Sequence, residues 1–396
     1  MAQFLISLPA LKRNARLLQE VAAATGAHML VALKAFSTTA GLKEIAPFAA
    51  GCCASGLYEA RLGSRHLGKH VAVYSPAYRE AELAELLETA HHIDFNSVPQ
   101  WQRWRSTCLA HPRMQSGELQ LGLRINPCFS TGHTALYDPC VPGSRLGIPA
   151  DQLEGVDLTG ISGLHFHTLC EQGAQELIDT FRAFEKQFGH LLANPQIRYL
   201  NLGGGHWITK PDYDRASLID LLREIREMYH VEVYLEPGEA WAIHTGVLRA
   251  RVLDIFESLG YQHAILDVSA SAHMPDVLEM PYRPDVYTIT PGGTGTPAVC
   301  LPGEHYTQAG ESGEKQYTYR LGAPTCLAGD IIGDFSFDHP LQVDDVIILD
   351  DMSHYTIVKT THFNGVPHPD IAVLQADGKI DVVKHFSYSD FEDRLG

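Results

Sequence analysis

A single lysine stands inside an apolar run that has the character of a strand. Lys34 follows residues 28–33 (HMLVAL) and precedes Ala35 and Phe36. We expect Lys34 to lie in dry surroundings. Burial there would disfavour the charged ammonium and leave a neutral amine that can attack an aldehyde. Alone, a lysine in such a run is more often an edge residue whose ammonium reaches water. The prediction of a nucleophilic amine therefore depends on the groups that lie near it.

Three consecutive glycines follow another apolar run. Gly203, Gly204 and Gly205 come directly after residues 197–202 (IRYLNL). Because glycine has no side chain, its backbone N–H group can approach an anion closely, and loops of this kind bind phosphate groups. A plain tight turn is the alternative interpretation.

Two histidines lie two residues apart at the end of residues 160–166 (GISGLHF). On a strand, His165 and His167 point to the same face. A metal site would need a third ligand, and no residue stands at a suggestive spacing. One of the two fits a hydrogen-bonded core histidine. We expect the other to stack its ring on a flat ligand.

A glutamate ends the last of these apolar runs. Glu236 follows residues 231–235 (VEVYL) and precedes Pro237 and Gly238. A carboxylate in such a place is costly unless it has a partner. A protonated ring nitrogen of a ligand would supply one, and a structural ion pair with Arg124 is the alternative.

Elements that could position these residues alternate between strand and helix. Eight apolar runs of strand length are found at 28–33, 48–54, 71–75, 92–96, 119–125, 160–166, 197–202 and 231–235. Segments of helical periodicity separate most of them, including 78–90, 173–192 and 214–230. This repeated alternation predicts an α/β fold with a (β/α)8 barrel of the TIM type. An open, doubly wound sheet is the alternative.

The rest of the chain has β character. Runs rich in β-branched and aromatic residues are found at 247–257, 261–268, 286–290, 316–321, 346–350 and 354–361. They predict a C-terminal β-sandwich or β-barrel domain. The strand-like segment 3–7 (QFLIS) could join its sheet. We therefore expect a barrel domain over residues 8–246 and a discontinuous β domain over residues 1–7 and 247–396.

The predicted barrel would bring the polar groups to one rim, since active-site groups of such barrels lie at the C-terminal ends of the strands. Lys34 ends the first strand, Arg124 the fifth and Glu236 the eighth, while His167 follows the sixth and the glycines follow the seventh. An amine, a phosphate loop, a stacking ring and a carboxylate for a ring nitrogen are together what holds pyridoxal 5′-phosphate. We predict this cofactor, bound covalently to Lys34, and no metal.

The composition of the 396 residues limits the classes of function. No apolar run reaches the roughly 18 to 20 residues that span a bilayer, and a signal-type N-terminus is missing, so we expect a cytoplasmic location without membrane contact. The formal net charge of −17 opposes nucleic-acid binding and mildly favours a small cationic substrate. The eight cysteines form no CxxC pair, which argues against a zinc site or a redox dithiol.

Taken together, these landmarks resemble a known family over nearly the whole chain. The sequence is similar to the pyridoxal-phosphate decarboxylases of the alanine-racemase fold, which include ornithine, arginine and diaminopimelate decarboxylases. The matching residues are Ala32-Leu33-Lys34-Ala35, Phe166-His167, Gly203-Gly204-Gly205, Glu236-Pro237-Gly238, Cys326 and Tyr355. The resemblance implies a barrel with a β domain, decarboxylase activity, and a head-to-tail homodimer with active sites at its interface.

The resemblance also implies roles for individual residues. The cofactor would be bound by Lys34, Arg124, His167, Gly203, Gly204, Gly205, Glu236 and Tyr355. Lys34 would hold it covalently, His167 would stack on its ring, and Glu236 would keep the ring nitrogen protonated. Tyr355 and the glycines would hold the phosphate. Cys326, contributed by the other subunit, would protonate the product carbanion.

Three departures from the family would face the substrate or the cofactor. Glu239 replaces a phosphate-binding arginine, and Leu327 stands where relatives have an acid after the catalytic cysteine. Diaminopimelate decarboxylases bind the distal carboxylate of their substrate with an arginine, and Glu279 stands near the corresponding position of this sequence. An acid at that position would favour a substrate with an amine tail. The departures resemble the branch that decarboxylates carboxynorspermidine and carboxyspermidine. Segments shared with that branch are 55–59 (SGLYE), 144–147 (SRLG) and 363–366 (FNGV).

For that branch, several polar residues are candidates for binding the substrate. They are Glu239, Asp276, Glu279, Asp330 and Arg145. The nearest alternative is a decarboxylase of diaminopimelate or another basic amino acid. An alanine racemase would need a tyrosine where Cys326 stands. A further alternative is a non-catalytic relative that binds the cofactor or partner proteins, but such proteins typically lose the lysine or the cysteine, and this chain has both.

Overall fold

A computed structural model of the chain describes residues 2–132, 134–289 and 306–396. These residues form two compact units. One unit contains the residues up to Arg13 together with those from Ala242 onwards, and the other runs from Asn14 to Trp241. The first elements of the chain are strand β1 (Gln3–Ser7) and helix α1 (Leu8–Thr25).

Eight parallel strands of the Asn14–Trp241 unit close into a barrel. They are β2 (His28–Ala32), β3 (Gly51–Ala54), β4 (His70–Tyr74), β5 (His92–Phe95), β6 (Gln120–Arg124), β7 (Ile161–His165), β8 (Tyr199–Asn201) and β9 (Glu232–Leu235). Each pairs with its neighbour in chain order, and β2 pairs with β9 to complete the ring. Every one overlaps a predicted apolar run, so the predicted barrel is confirmed and the open sheet is excluded.

Helices follow most of these strands. They are α2 (Thr39–Ile45), α3 (Leu57–Leu67), α4 (Glu80–Thr89), α5 (Val98–Ala110), α6 (Pro112–Ser116), α7 (Ala174–Leu192), α8 (Arg215–Tyr229) and α9 (Glu239–Ala242), with 3₁₀ turns at Ala135–Tyr137 and Ala150–Leu153. Helix α7 illustrates why they form. Leu177, Phe181, Phe184 and Phe188 recur at spacings of three and four residues and are all buried, which gives the helix one apolar face.

The inside of the barrel is filled by a tyrosine that needs glycines beside it. A Cβ on Gly163 would lie 1.9 Å from the Tyr199 ring, and one on Gly122 would lie 2.3 Å from the Tyr199 hydroxyl. That hydroxyl donates a hydrogen bond to Asp94 Oδ1 at 2.7 Å. Burial, and then the charge of Asp94, raise the pKa of Tyr199 well above its usual value. The hydroxyl therefore remains a donor to the buried carboxylate.

The other unit is built on a mixed sheet of ten strands. Besides β1, its strands are β10 (Gly246–Ser258), β11 (Tyr261–Leu266), β12 (Val286–Ile289), β13 (Tyr306–Gln308), β14 (Tyr317–Gly322), β15 (Ile331–Phe337), β16 (Val346–Leu349), β17 (Asp370–Leu374) and β18 (Ile380–Lys384). The main order is β13-β12-β16-β10-β1-β17-β18, and β11, β14 and β15 extend from β10. Its helices are α10 (Ala270–His273), α11 (Asp276–Glu279) and α12 (Tyr388–Glu392), with 3₁₀ turns at Ile357–Lys359 and Phe363–Gly365.

Strand β1 occupies a central place in this sheet. It pairs antiparallel with β10 and parallel with β17. Phe4 of β1 packs with Leu248, Leu321, Phe335 and Ile347 in the apolar core of the unit. Burial of such side chains stabilises the unit by about 1.5 to 3 kcal/mol each. The predicted β domain is confirmed as part of the fold.

One predicted strand is wrong. Residues 354–361 form no strand and contain the 3₁₀ turn Ile357–Lys359. The reason lies in local hydrogen bonds, because the Thr356 hydroxyl donates to the Met352 carbonyl at 2.6 Å and closes the chain into turns. The sequence reading also missed β13, β15, β17 and β18. Residue 290 of a predicted strand and Cys300 lie outside the described residues.

Candidate active site

Lys34 lies on a turn that begins as soon as β2 ends. The N–H groups of Ala35 and Phe36 both donate to the carbonyl of Ala32, at 3.0 and 3.2 Å, so the chain leaves the strand sharply. Leu33 and Ala35 are buried, whereas Lys34 is exposed. The expectation of dry surroundings for Lys34 is therefore wrong for this chain by itself. Its amine is fixed at the rim by buried neighbours and remains accessible.

The charge of Lys34 acts on two other groups at this rim. Burial, and then the positive charges of Lys34 and Arg124, hold the pKa of His167 well below its usual range. Burial raises the pKa of Glu59, although a hydrogen bond from the Ser55 N–H and the charge of Lys34 act in the opposite direction. The lysine thus lies within electrostatic reach of a neutral imidazole and a carboxyl group.

The ring of His167 is oriented by the glycine loop. The N–H of Gly204 donates to His167 Nδ1 at 2.9 Å, which requires an unprotonated nitrogen there. Arg124 Nη2 donates to the His167 carbonyl at 3.1 Å. His167 is consequently a neutral, flat ring in a fixed place, as stacking on a ligand would require.

The glycines are required for close backbone approach. A Cβ on Gly204 would lie 2.0 Å from the Glu236 carbonyl oxygen, and Gly205, at φ 85°, would place one 1.9 Å from the carbonyl oxygen of Leu169. The N–H of Gly203 donates to Asn201 Oδ1 at 2.9 Å. Since the N–H groups of Gly203 and Gly204 are both bonded within the protein, their predicted contact with phosphate is not supported. For Gly205 it stays a prediction.

Glu236 is a nearly buried carboxylate, with a side chain 13% exposed. Its Oε1 accepts a hydrogen bond from Asn201 Nδ2 at 2.7 Å, and its Oε2 lies 3.8 Å from His165 Nε2. The alternative ion pair with Arg124 does not form among the described residues. Arg124 lies instead over the ring of Tyr74, 4.3 Å from its centre.

Asn201 is a site residue that sequence reasoning missed. It is fully buried at the end of β8 and bonds both Glu236 and the N–H of Gly203. Its position in the sequence could have identified Asn201 as a site residue. It is a polar residue close before the glycines, at the end of a barrel strand, where active-site groups of such barrels lie.

Arg145 lies on the long connection between β6 and β7 and is exposed. Its carbonyl accepts a hydrogen bond from Asn96 Nδ2 at 2.8 Å, while Asn96 Oδ1 accepts one from the Tyr74 hydroxyl at 2.6 Å. Arg145 also lines a cavity of ≈ 610 Å³ together with Asp138 and Ser144. These contacts connect the cavity to Tyr74, on which Arg124 is stacked.

Glu239 begins helix α9 and contacts an aromatic side chain. Trp207 Nε1 donates to Glu239 Oε2 at 2.9 Å, and the ammonium of Lys210 lies 2.9 Å from the centre of the Trp207 ring. The acid that replaces the family's arginine is therefore engaged within the barrel unit.

Asp276 and Glu279 of the other unit come together on helix α11. Both contact the ammonium of Lys359, Asp276 through Oδ1 and Glu279 through Oε2 at 3.3 Å. Burial lowers the pKa of Lys359, but the two carboxylates outweigh it and the pKa is raised. Two predicted amine-binding acids thus already form a site for an ammonium group.

Asp330 does not share this arrangement. Its side chain is 3% exposed and accepts hydrogen bonds from the hydroxyls of Ser269, Ser271 and Thr325 and from the N–H of Ser271. Both carboxylate oxygens are satisfied inside the protein, so the prediction that Asp330 binds a substrate amine is not supported.

Cys326 and Tyr355 belong to the same unit as Asp330. Cys326 is exposed, and its N–H donates to Asn364 Oδ1 at 2.9 Å. Tyr355 has φ 51°, in the left-handed region, and follows His354, whose Nε2 lies 3.2 Å from Asp351 Oδ1. Both residues therefore lie on turns that are held by contacts of neighbouring side chains.

The part of the chain that the structure describes contains neither a candidate metal site nor a membrane-spanning helix. No three His, Cys, Asp or Glu side chains there are grouped so as to hold a metal ion. Every helix within the described ranges is too short or too polar to cross a lipid bilayer.

The residues at the barrel rim fit pyridoxal phosphate. Lys34 supplies an accessible amine, and His167 a neutral ring. Glu236 keeps one carboxylate oxygen, Oε2, without a hydrogen bond among the described residues, as a partner for a protonated ring nitrogen would. A rim with these three groups defines a class of barrel enzymes that bind this cofactor.

Comparisons with known proteins agree with this class. The family profile described as "Pyridoxal-dependent decarboxylase, C-terminal sheet domain" matches residues 71–353. A carboxyaminopropylagmatine decarboxylase of Synechocystis is 41% identical, over 99% of this chain and 95% of its own length. A carboxynorspermidine/carboxyspermidine decarboxylase of Campylobacter jejuni is 40% identical, over 96% of this chain and 94% of its own.

A solved structure is similar over both units. The crystal structure of carboxynorspermidine decarboxylase from Campylobacter jejuni, complexed with norspermidine, matches with a TM-score of 0.86 and 38% identity, over 100% of this chain and 99% of its own. The chain belongs to the family of pyridoxal-dependent decarboxylases. It is an enzyme, and its cofactor is pyridoxal 5′-phosphate.

Proposed function

We propose that this enzyme removes the α-carboxylate of carboxynorspermidine or carboxyspermidine and so produces norspermidine or spermidine in polyamine biosynthesis. The observation that carries the proposal is the carboxylate pair of Asp276 and Glu279, which holds the ammonium of Lys359 in this structure. A polyamine tail ends in such an ammonium. The full-length relatives that act on these substrates support the same conclusion.

The chemistry divides between the cofactor and the protein. When bound, pyridoxal phosphate supplies an aldehyde for amines and a ring that accepts the electron pair of the broken bond. Lys34 would hold the cofactor through its amine, and Glu236, fixed by Asn201, would keep a proton on the ring nitrogen. His167, oriented by the N–H of Gly204, would fix the plane of the ring. Gly205 and Tyr355 would hold the phosphate.

The last step needs a proton on the α-carbon, and Cys326 is our candidate donor. It is exposed, as a residue that serves the active site of another subunit must be. We therefore propose a homodimer in which each site combines Lys34 of one protomer with Cys326 of its partner. We also propose a cytoplasmic enzyme whose partners include neither membrane nor nucleic acid.

The position of the covalent bond can be tested directly. Reduction of the loaded enzyme with borohydride, followed by peptide mapping, should place the label on Lys34. A label on any other lysine would contradict this role. Lys34→Ala should lose the absorbance of the bound aldehyde and nearly all turnover, because it removes the amine proposed to hold the cofactor.

A second substrate is favoured by one relative. The Synechocystis protein is 41% identical and acts on carboxyaminopropylagmatine, whose tail carries a guanidinium instead of an ammonium. Two carboxylates on one short helix suit either cation, since a guanidinium can bind both oxygens of a carboxylate. Diaminopimelate fits less well, because its distal carboxylate would be repelled by Asp276 and Glu279.

A substrate panel decides between these functions. Release of carbon dioxide should be measured with carboxynorspermidine, carboxyspermidine, carboxyaminopropylagmatine and diaminopimelate. We expect one of the first two to have the highest kcat/KM and diaminopimelate to be poorest. Preference for the guanidinium substrate would replace the proposed substrate, and preference for diaminopimelate would contradict the assignment. A cofactor absorbance band without turnover of any amino acid would indicate a non-catalytic relative.

A further inference from the structure

A turn late in the chain holds the segment that contains Cys326. In the 3₁₀ turn Phe363–Gly365, Asn364 has φ 56° and ψ 15°, the left-handed region in which asparagine is enriched. This conformation directs the side chain at a segment 38 residues earlier, where Asn364 Oδ1 accepts the N–H of Cys326 at 2.9 Å. Asn364 of the 363–366 motif therefore makes a contact to which the proposed function assigns no role.

Asp330 holds the same segment from its other side. Thr325, directly before Cys326, donates its hydroxyl to Asp330 Oδ2 at 2.5 Å. The hydroxyl of Ser269 donates to the same oxygen at 2.6 Å, and the N–H of Ser271 donates to Oδ1 at 3.0 Å. A buried carboxylate with several charge-assisted hydrogen bonds is a rigid anchor. It ties the Cys326 segment to the start of helix α10.

We propose that Asn364 and Asp330 are positioning residues that aim the thiol of Cys326, an inference that rests on the proposed role of Cys326 as proton donor. The two bonds restrain the backbone on the N-terminal side of Cys326, and the backbone angle φ sets the direction of the Cα–Cβ bond. Cys326 is exposed within its own chain, so packing inside that chain does not set this direction. Displacement of a catalytic group by about 1 Å can lower a rate by about a hundredfold.

Misplacement of the thiol would change the products as well as the rate. In normal turnover the bond to the carboxylate breaks, carbon dioxide leaves, and the α-carbon gains a proton before the amine product departs. Without an aimed donor, the proton would instead be added to the former aldehyde carbon of the cofactor. Hydrolysis by one water molecule would then release an aldehyde and leave the amino group as pyridoxamine phosphate. The electron pair of the broken bond ends in that new C–H bond, so no further oxidant or reductant is involved.

The test uses the holoenzyme and Asn364→Gly, which removes the acceptor but permits the left-handed backbone. We expect kcat to fall about tenfold to a hundredfold, KM to stay within about twofold, and the fraction of turnovers that end as pyridoxamine phosphate to rise. The absorbance of the bound cofactor should be retained. Asn364→Asp, which keeps the acceptor, should restore both rate and product ratio. Asp330→Asn, which keeps one oxygen, should shift the ratio in the same direction by less.

A second readout is independent of activity. Removal of the acceptor should speed amide hydrogen exchange at Cys326 in the cofactor-free chain. Leu259→Gly is the matched control, since Leu259 is exposed and left-handed at φ 52° but lies in the turn between β10 and β11. Unchanged exchange and an unchanged product ratio in Asn364→Gly would overturn the proposal.

Cys326→Ala separates this proposal from the proposed function. If Cys326→Ala yields the same product ratio as the unaltered enzyme, Cys326 is not the proton donor and that part of the proposed function fails. If Cys326→Ala shifts the ratio but Asn364→Gly does not, only the positioning role is overturned.

Discussion

The side-chain amide of Asn201 joins the Glu236 carboxylate to the glycine loop. Its Nδ2 donates to Glu236 Oε1 at 2.7 Å, and its Oδ1 accepts the N–H of Gly203 at 2.9 Å. One buried residue thereby fixes the carboxylate proposed to face the ring nitrogen and the loop proposed to face the phosphate.

Asn201→Ala should therefore weaken cofactor binding. The change leaves Glu236 with one donor fewer and the N–H of Gly203 without an acceptor, and a lost hydrogen bond to a charged group costs about 1.5 to 3 kcal/mol. We expect the Kd for pyridoxal phosphate to rise roughly tenfold or more, measured by titration of the cofactor absorbance. Asn194→Ala, at an exposed asparagine, serves as control. A Kd equal to that of the unaltered enzyme would contradict the role of Asn201 in holding Glu236 and the glycine loop for the cofactor.

Mixing two inactive variants tests the shared active site. Lys34→Ala removes the cofactor amine and Cys326→Ala removes the proton donor, so each homodimer should have little activity. A mixed dimer would contain one complete site and one site that lacks both groups. Random exchange of subunits should thus restore about a quarter of the activity of the unaltered enzyme. Activity no higher than the mean of the two variants would contradict sites built from two subunits.

Lys359→Met should alter substrate binding through charge. The methionine keeps an apolar stem but leaves Asp276 and Glu279 without their cationic partner. We expect the KM for the polyamine substrate to fall by about fivefold at low ionic strength, corresponding to roughly 1 kcal/mol of added attraction, and the effect to shrink as salt screens it.

Lys379→Met is the matched control for this charge effect. Lys379 pairs with Asp381 on β18, at the surface of the same unit. The variant removes the same charge from another ion pair and should leave KM unchanged. If KM in Lys359→Met is unchanged at low and at high salt, the acids of helix α11 do not bind the substrate.

Two histidines of the barrel, the buried His92 and the half-buried His70, should make the enzyme sensitive to acid. Burial, and then the neighbouring His91 and His28, lower the pKa of His70 to about 3, and burial holds the pKa of His92 well below its usual value. Both rings also contact Tyr234. An unfolded histidine gains its proton near pH 6.5, so the unfolded chain binds more protons than the folded one below that pH.

Stability should therefore be lost as the pH falls from about 6.5 towards the folded pKa values. Each of these histidines should lower the free energy of unfolding by about 1 kcal/mol between pH 6.5 and 5.5. Urea denaturation at several pH values measures this slope. His92→Phe should reduce the slope, while His339→Gln, at an exposed position, should not. An equal slope in His92→Phe would contradict the assignment.

Much of the fold was predictable because its signals are local. All eight barrel strands overlap predicted apolar runs, and β1, β10 and β11 overlap segments that the sequence predicts to be strands. Residues 354–361 were wrongly predicted to form a strand, because β-branched residues also occur in turns. Here the Thr356 hydroxyl donates a hydrogen bond to the Met352 carbonyl and stabilises a turn.

The sequence by itself determined which groups stand at the strand ends, since the rule that places Lys34 and Glu236 on one rim needs only the strand pattern. Only the tertiary structure decided their partners. Lys359 donates a hydrogen bond to Asp276, which lies 83 positions earlier in the sequence. Asp330 accepts one from Ser269, which lies 61 positions earlier. A carboxylate looks the same in sequence whether a lysine, a hydroxyl or a substrate faces it. The difference lies in which segments the fold brings together and whether water remains between them.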